Sequence, residues 1–351
     1  MGRNNTLAEK QSTISWARKY RGHKASIIGQ SLLRAAADAS EHQLKRYFAL
    51  AALSRSTTSP NELVKEAWDL VFRVRVQLEA SISRSIATAL QHGTFANQQL
   101  FSGSFFGASK KQGVSVRLPL TACRATSLCG AACYAHDVLD AAPASIVRGV
   151  VNGLIAKLYE EGDDQTKLMV ADSLRKHTAK AVKAALAEVE ELDGWTRAAY
   201  IRFAHVGEIA PFSCFANALA QQVADLSNGD VKSVVYTRHP NASKLDGRLF
   251  VVNFTLDRAS MDRREWAPES ARLVFSAFNG EVCEDVDVNF LEHHRWSHAS
   301  PIGTGRICPA TAPETVDRTC DAVKCDRCFR QSEIGLVQLG VGMDPASEHQ
   351  D

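Results

Sequence analysis

Apolar side chains recur at helical spacing through the first hundred residues. Ser59, Pro60 and Glu62 form a helix-start signal, with a capping side chain, a proline at the first position and a carboxylate able to reach back. One apolar stripe follows at intervals of three, four or seven residues: Val64, Trp68, Val71, Leu78, Ile82 and Ile86. Shorter periodic segments lie at 26–38 and 42–54. The pattern predicts an N-terminal helical module over residues 1–100, ending in a loop over 93–113.

Helical periodicity and short continuous apolar runs alternate after residue 101. Helices are predicted over 144–161, over 164–192 and from Pro211 to about residue 226. Strands are predicted at 200–205 and in the segments VKSVVYTRH, RLFVVNFTLD and ARLVFSAFNG. Because these runs are apolar on both faces, they favour a parallel sheet covered by helices. We expect an α/β fold with an irregular or partial (β/α) barrel-like domain over 101–335 and a flexible tail over 336–351.

Composition is that of an ordinary globular protein. Of 351 residues, 45% are hydrophobic and 23% charged, which excludes the disordered class. No run of eighteen apolar residues is present, so no membrane span is predicted. The first residues lack the apolar segment of a secretory signal, and we therefore expect a cytoplasmic, reducing environment.

Charge is unevenly distributed along the chain. The net charge is +2, yet residues 1–111 contain sixteen Lys and Arg against seven Asp and Glu. Two interpretations stay open. The N-terminal module could contact nucleic acid, or the charges could form the solvated surface of amphipathic helices.

Seven of the nine cysteines fall into two groups, the first with Cys123, Cys129 and Cys133, the second with Cys308, Cys320, Cys325 and Cys328. In a reducing compartment such grouping favours metal binding over disulfides. Thiolates suit both iron–sulfur clusters and zinc, and both alternatives stay open, as does a single site shared by the two groups. Cys214 and Cys283, which lie in apolar or strand-like segments, are expected to pack in the core.

Polar residues follow the predicted strands at their carboxyl ends, where α/β folds bind ligands. Gly207 and Glu208 follow the first strand, and His205 lies just before them. Arg202 and Tyr236 occupy comparable places, and Thr237 and Arg238 end the next strand, where an anion could be held. The motifs of dinucleotide binding, P-loop nucleotide hydrolysis, zinc proteolysis and serine hydrolysis do not occur.

Several segments occur in an order that resembles the phage-associated gene product 88 family. They are LPLTAC-x5-C-x3-CYA, RFAHVGE, VVYTRHP, and ICPAT with CDAVKCDRCF, and they cover about residues 100–330. The resemblance implies a protein encoded by a phage or mobile element. The first hundred residues lie outside it.

The order of these segments is also similar, more distantly, to that in radical S-adenosylmethionine enzymes. That resemblance implies a 4Fe-4S cluster on Cys123, Cys129 and Cys133, with one iron open. It also implies cofactor binding by Gly207 and Glu208, in which Glu208 places the cofactor amino group for catalysis. His205 is a further candidate for cofactor binding from its place near the end of the strand. The second cysteine group would hold a closed cluster.

One position departs from that pattern, because the expected third cysteine is replaced by His136. Cys123 could supply the third thiolate, His136 could be an unusual ligand, or the resemblance could be architectural only. The leading hypothesis is an iron–sulfur enzyme of unknown substrate. The alternative is a zinc-stabilised nucleic-acid-binding protein.

Overall fold

The computed structural model describes residues 47, 51, 62–94, 96–109, 113–136, 143–189, 191–192, 195–196, 198–278, 280–291, 306–308 and 327–329. Cys320, Cys325 and the predicted tail lie outside these residues, as do the predicted helical segments 26–38 and 42–54 apart from Tyr47 and Ala51. In the described part of the chain, no helix is both long enough and apolar enough to cross a membrane.

Helices and strands alternate along most of this part of the chain. The helices are α1 (Glu62–Gln91), α2 (Ser127–Ala131), α3 (Pro143–Glu161), α4 (Asp164–Ala187) and α5 (Ser213–Ser227). The strands are β1 (Phe106–Ser109), β2 (Gly113–Arg117), β3 (Glu191–Leu192), β4 (Trp195–Thr196), β5 (Tyr200–Val206), β6 (Lys232–Thr237), β7 (Phe250–Leu256), β8 (Arg272–Ala277) and β9 (Val288–Leu291).

A seven-stranded sheet organises the fold, with the order β1-β2-β5-β6-β7-β8-β9. β1 is antiparallel to β2, and from β2 onward each strand runs parallel to its neighbour. β3 and β4 form a separate hairpin. The predicted α/β class and the predicted parallel strands are confirmed. Short 3-10 helices fill the intervals after β6 and β7, which are too short for full crossover helices.

The two faces of the sheet are distinguished by the two-residue period of each strand. Ile201 and Phe203 of β5 belong to the main core, with buried residues of α4 and α5. Phe203 also meets Phe250 of β7 edge to face at 5.1 Å. Tyr200, which alternates with them, belongs to a second cluster in which it packs against Phe329.

α1 packs against the same core as the first strands of the sheet. The predicted apolar stripe is confirmed by the buried residues Trp68, Val71, Leu78, Ile82 and Ile86. The burial of Val64 lies outside what the structure describes. The prediction of a loop over 93–113 was wrong in part, because Phe106–Ser109 forms β1. After Phe106 this short strand contains only small residues, and it is stabilised by pairing with β2 rather than by its own propensity.

The carboxyl-terminal half of β5 contains an irregularity beside the candidate site. The pairing register with β2 shifts between Ser115 and Arg117, and Ala204 adopts a positive φ of 62°. A β-bulge of this kind redirects the side chains that follow it. In this strand those residues are His205 and Val206, which lead directly into Gly207.

Candidate metal centre

The first cysteine group lies on a loop that leaves the carboxyl end of β2. The 3-10 helix Leu120–Ala122 comes first, and Cys123 follows it in extended conformation. Thr126 then caps α2, because its Oγ1 accepts a hydrogen bond from the Cys129 amide at 3.0 Å. Cys133 follows α2, and its amide bonds back to that helix. Local backbone structure therefore sets the position of each cysteine.

The three thiols lie together beside the end of β5. Cys123 and Cys133 both pack in a small cluster with Val206, the last residue of that strand. Burial raises the pKa of Cys123, and the nearby Glu208 carboxyl and the other two thiols raise it further. Burial, and after it Cys129, raises the pKa of Cys133 to about 12. These two thiols are therefore protonated at neutral pH, and a metal must displace their protons to bind.

Glu208 places a buried carboxyl at the same edge of the sheet. Its Oε1 accepts hydrogen bonds from the amides of Ile209 at 3.0 Å and Ala210 at 3.2 Å, and its Oε2 accepts one from the Arg238 amide at 3.4 Å. Burial raises the pKa of Glu208 to about 7, although these bonds and one from the Thr237 side chain oppose the rise. A cation brought to this carboxyl would favour its ionised form.

Gly207 allows the closest approach between the cysteine loop and β5. It has a φ of +84°, and a Cβ atom there would lie 2.4 Å from the carbonyl oxygen of Leu118. The Leu118 amide in turn donates to the Val206 carbonyl at 2.8 Å. Glycine is therefore required at this position, both by the backbone conformation and by the lack of space.

A buried polar network ties α2 to the ends of β6 and β7. Asp257, which is fully buried, accepts hydrogen bonds on Oδ2 from Thr126 Oγ1 and from Arg238 Nη1, both at 2.7 Å. Burial alone lowers the pKa of Arg238, but the nearby Cys129 and Asp257 outweigh it, so that the pKa is raised overall. The cap of the cysteine-bearing helix and a permanent positive charge beside the thiols thus depend on one carboxylate.

α1 contacts the cysteine loop through a buried ion pair. Arg75 and Glu79 are each 1% exposed, and the Nε of the first lies 2.6 Å from Oε1 of the second. Glu79 Oε2 also accepts a hydrogen bond from the amide of Leu120. Burial raises the pKa of Glu79, and Arg75 opposes that rise. The first turn of the loop is therefore attached to α1 by a buried polar contact.

These polar residues were not singled out from the sequence. Arg75 and Glu79 lie four residues apart inside the apolar stripe of α1, and an ion pair on a buried face is itself a signal. Asp257 follows β7 as Glu208 follows β5, so the reasoning applied to strand ends could have found it. Thr126 precedes α2, whose five residues are too few to show helical periodicity.

His136 lies in an aromatic environment. It is 1% exposed, stacks on Trp68 with the ring centroids 5.7 Å apart, and meets the edge of Phe72. Tyr47 Oη lies 3.2 Å from its Nδ1. Of the alternatives left open for the third ligand, this geometry favours Cys123 over His136.

Of the candidate site residues predicted on β5 and β6, some lie beside Glu208 and others do not. His205 Nδ1 lies 3.0 Å from Ser115 Oγ, and its Nε2 lies 3.5 Å from Arg117 Nη2, so its described contacts are with β2. The Arg202 guanidinium lies over the Tyr236 ring, 4.5 Å from its centroid. Thr237 and Arg238 instead surround Glu208.

The described members of the second cysteine group lie in separate packing clusters. Cys308 is buried with Val274 and Val288, and its amide donates to the Asn289 carbonyl at 2.8 Å. Cys328 packs beside Tyr200, in a cluster distinct from that of the first group. Cys320 and Cys325 lie outside the described residues, so the predicted four-thiolate site stays a prediction.

The two remaining cysteines differ from their prediction in part. Cys283 packs, half-buried, against a small apolar cluster, as expected. Cys214 is exposed near the start of α5, so the prediction of a packing role was wrong there. It lies on the polar side of an amphipathic helix. The prediction missed this because most of the residues that follow Cys214 in the sequence are apolar.

The donor chemistry of the first group can be compared with two kinds of metal site. Among the described residues, no three His, Cys, Asp or Glu side chains form a group that could hold a metal ion. A single ion needs its ligands around one centre, whereas an iron–sulfur cluster separates its thiolates by its own atoms. An iron–sulfur cluster and a zinc ion therefore both stay open for the three thiols.

Comparisons with known proteins add no second line of evidence. Neither protein-family models, nor curated proteins, nor solved structures gave a match to this chain. Function is therefore inferred from the geometry of the site.

Proposed function

We propose that the chain is an iron–sulfur protein whose enzyme site is of the radical S-adenosylmethionine type. One observation carries the proposal: the loop of Cys123, Cys129 and Cys133 leaves β2, Gly207 and Glu208 follow β5, and β2 and β5 are adjacent parallel strands. Three thiolates leave one iron of a 4Fe-4S cluster open to an exchangeable ligand. Such a cluster supplies single electrons when bound.

The chain's own residues bind and orient the cofactor in this proposal. Glu208 accepts the cofactor ammonium, because its buried carboxyl is held in one orientation by the Ile209 and Ala210 amides. Gly207 keeps Glu208 close to the cysteine loop. Arg238, bonded to Asp257, places a positive charge near thiolates that are partly buried and lie close together.

The barrel-like arrangement and the second cluster belong to the same proposal. From β2 to β9 the parallel strands follow one another in chain order, as a partial (β/α) barrel requires. Cys308, Cys320, Cys325 and Cys328 would hold a second, closed cluster. A phage or mobile-element origin, similarity to the gene product 88 family and a cytoplasmic location stay predictions from the sequence.

Metal analysis of protein purified without oxygen tests the proposal. We expect about four irons and four sulfides per chain for one cluster, or about eight of each for two, with visible iron–thiolate absorbance. Cys133→Ser should lose one cluster. Cys214→Ser is the matched control, since Cys214 is an exposed thiol outside both groups, and it should retain the full content. Stoichiometric zinc without iron would overturn the proposal and support the zinc-stabilised nucleic-acid-binding protein instead.

Cofactor binding separates the enzyme from a purely structural iron–sulfur protein. Glu208→Gln should keep its iron and its fold but bind S-adenosylmethionine more weakly, as measured by isothermal titration calorimetry. Unchanged affinity in this variant would contradict the role given to Glu208. If the alternative function holds, nucleic-acid affinity should fall steeply with salt and should be the same in Glu208→Gln as in the unchanged protein.

A further inference from the structure

The edge of the sheet that carries the thiols also carries a cluster of basic side chains, named here the basic rim. Arg124 comes from the cysteine loop, His239 and Lys244 follow β6, and Arg263 lies on the 3-10 helix after β7. These segments meet because the carboxyl ends of parallel strands share one edge. Arg263 Nη1 donates to the Arg124 carbonyl at 2.7 Å, which joins two of these segments directly.

His239 is a neutral hydrogen-bond donor within the rim. Its Nδ1 accepts a hydrogen bond from the Asn241 amide at 3.1 Å, so the ring proton resides on Nε2. The side chain is 8% exposed, and no hydrogen bond joins Nε2 to any residue that the structure describes. Burial, together with the charges of Arg124 and Lys244, lowers the pKa of His239 to about 4. A neutral N–H group in a positive field favours an anion over a cation.

The positive charge of the rim is not compensated by neighbouring carboxylates. Arg124, Lys244 and Arg263 form no ion pair with another residue in the described part of the chain. Asp262 and Glu265 are exposed on the same 3-10 helix as Arg263 but pair with none of the three. A surplus of cations at a ligand-binding edge attracts anions.

Arg263 is also held in position by an aromatic ring. Its guanidinium lies 5.5 Å from the ring centroid of Trp266, on the same 3-10 helix. Together with the bond to the Arg124 carbonyl, this contact fixes a cation beside the cysteine loop and lowers the entropy lost when an anion binds.

We propose that the basic rim binds a phosphate group of the substrate, next to the thiols. A phosphate monoester has two negative charges and three strong acceptor oxygens, which match an arginine fork, a lysine and a neutral N–H donor. Arg124 directly follows Cys123, so a phosphate held there brings the rest of the molecule to the thiol site. Anion binding rests on the rim alone, whereas its role as a substrate subsite rests on the iron–sulfur function proposed above.

Isothermal titration calorimetry with the full chain at fixed ionic strength tests the proposal. The probes are inorganic phosphate, a nucleoside monophosphate, the corresponding nucleoside and a single-stranded oligonucleotide. We expect the monophosphate to bind and the nucleoside not to bind. Binding of the oligonucleotide alone would overturn the phosphate subsite and support the nucleic-acid-binding alternative instead. Equal binding of nucleoside and monophosphate, or no binding of any phosphate probe, would overturn the proposal.

Substitutions locate the binding within the rim. Arg124→Gln and Lys244→Gln should each weaken the bound phosphate probe about tenfold, because each removes one charge-assisted contact. Lys180→Gln, an exposed lysine of α4 far along the chain from the rim, is the matched control and should bind as the unchanged protein does. A double variant, Arg124→Gln with Lys244→Gln, that keeps its circular dichroism spectrum and full affinity would overturn the proposal.

Metal content measured on the same preparations keeps the two proposals separate. Phosphate binding without iron would leave the basic rim in place and remove the iron–sulfur function. Full iron content without phosphate binding would support the iron–sulfur function and overturn the phosphate site at the basic rim.

Discussion

Glu208 is a single residue whose protonation is linked to the stability of the fold. Its folded-state pKa is about 7, against 4.5 ordinarily, so the folded protein binds more protons than the unfolded chain between these values. The contribution of Glu208 is therefore fully present below pH 4.5 and is lost as pH rises through about 7. The total loss is roughly 3 kcal/mol.

Glu208→Gln removes this titration. The free energy of unfolding of the unchanged protein minus that of the variant should fall by that amount between pH 4 and 8, measured by urea denaturation. Glu161→Gln, at an exposed carboxylate of α3, provides the reference for substitution alone. If this difference in unfolding free energy stays constant with pH, burial does not raise the pKa of Glu208.

Gly207 and Gly229 form a matched pair for testing close packing. Both have a positive φ, +84° and +82°, but a Cβ at Gly207 would collide with the Leu118 backbone, whereas nothing lies within 4 Å at Gly229. Gly229→Ala should cost about 1–2 kcal/mol for the backbone conformation. Gly207→Ala should cost roughly 1–3 kcal/mol more, because the backbone must shift. Equal losses in denaturant unfolding would show that the loop can move away freely.

At the scale of elements, the Arg75–Glu79 pair makes α1 part of the candidate site. Glu79→Leu leaves Arg75 buried without its carboxylate and should cost roughly 3–5 kcal/mol of unfolding free energy. The double variant, Arg75→Met with Glu79→Leu, should lose less unfolding free energy than Glu79→Leu alone, because it leaves no unpaired charge in the core. The Leu120 amide still loses its acceptor, which costs about 1–3 kcal/mol.

An exposed pair provides the control for that comparison. Lys157 and Glu161 are 58% and 68% exposed, and removing one of them should cost less than about 1 kcal/mol. If Glu79→Leu and the double variant were equally unstable in equilibrium unfolding, the unpaired charge of Arg75 would not be the cause of the lost stability.

At the scale of the whole molecule, residues 327–329 close onto strands far earlier in the chain. Phe329 is 5% exposed and stacks on Tyr200 with ring centroids 3.9 Å apart, and Asn253 Nδ2 donates to the Cys328 carbonyl at 3.0 Å. Phe329→Ala should lower the free energy of unfolding by about 3–5 kcal/mol. Phe329→Leu keeps most of the volume and should cost under about 1.5 kcal/mol. Thermal and urea unfolding measure both, and a loss below about 1 kcal/mol for the alanine variant would contradict this closure.

Features set by local pattern could be predicted from the sequence, whereas those set by distant contacts could not. Continuous apolar runs are what strands buried on both faces require, so β6, β7 and β8 were found. In β1 only Phe106 favours a strand, and the Gly, Ala and Ser that follow it are held in extended conformation by pairing with β2. The grouping of Glu208 with the first three cysteines was implied only by the resemblance to radical S-adenosylmethionine enzymes, because β2, from which the cysteine loop leaves, was not predicted as a strand.

The residues that support the site could not be found in the same way. Asp257 joins Thr126 across 131 residues, and Glu79 joins Leu120 across 41, so neither contact leaves a local pattern. The placement of His136 likewise depends on Trp68 and Tyr47, which lie far from it in the chain.

The order of strands in the sheet has a consequence for how the protein is made. From β5 to β9 each strand pairs with the strand made just before it, so during synthesis every new strand meets a completed partner. The elements that hold the first three thiols, from α1 through Asp257, all precede Cys308 and Cys328. We therefore expect the first cysteine group to assemble while the second is still being synthesised, so that under the proposed function its cluster would be the first to form.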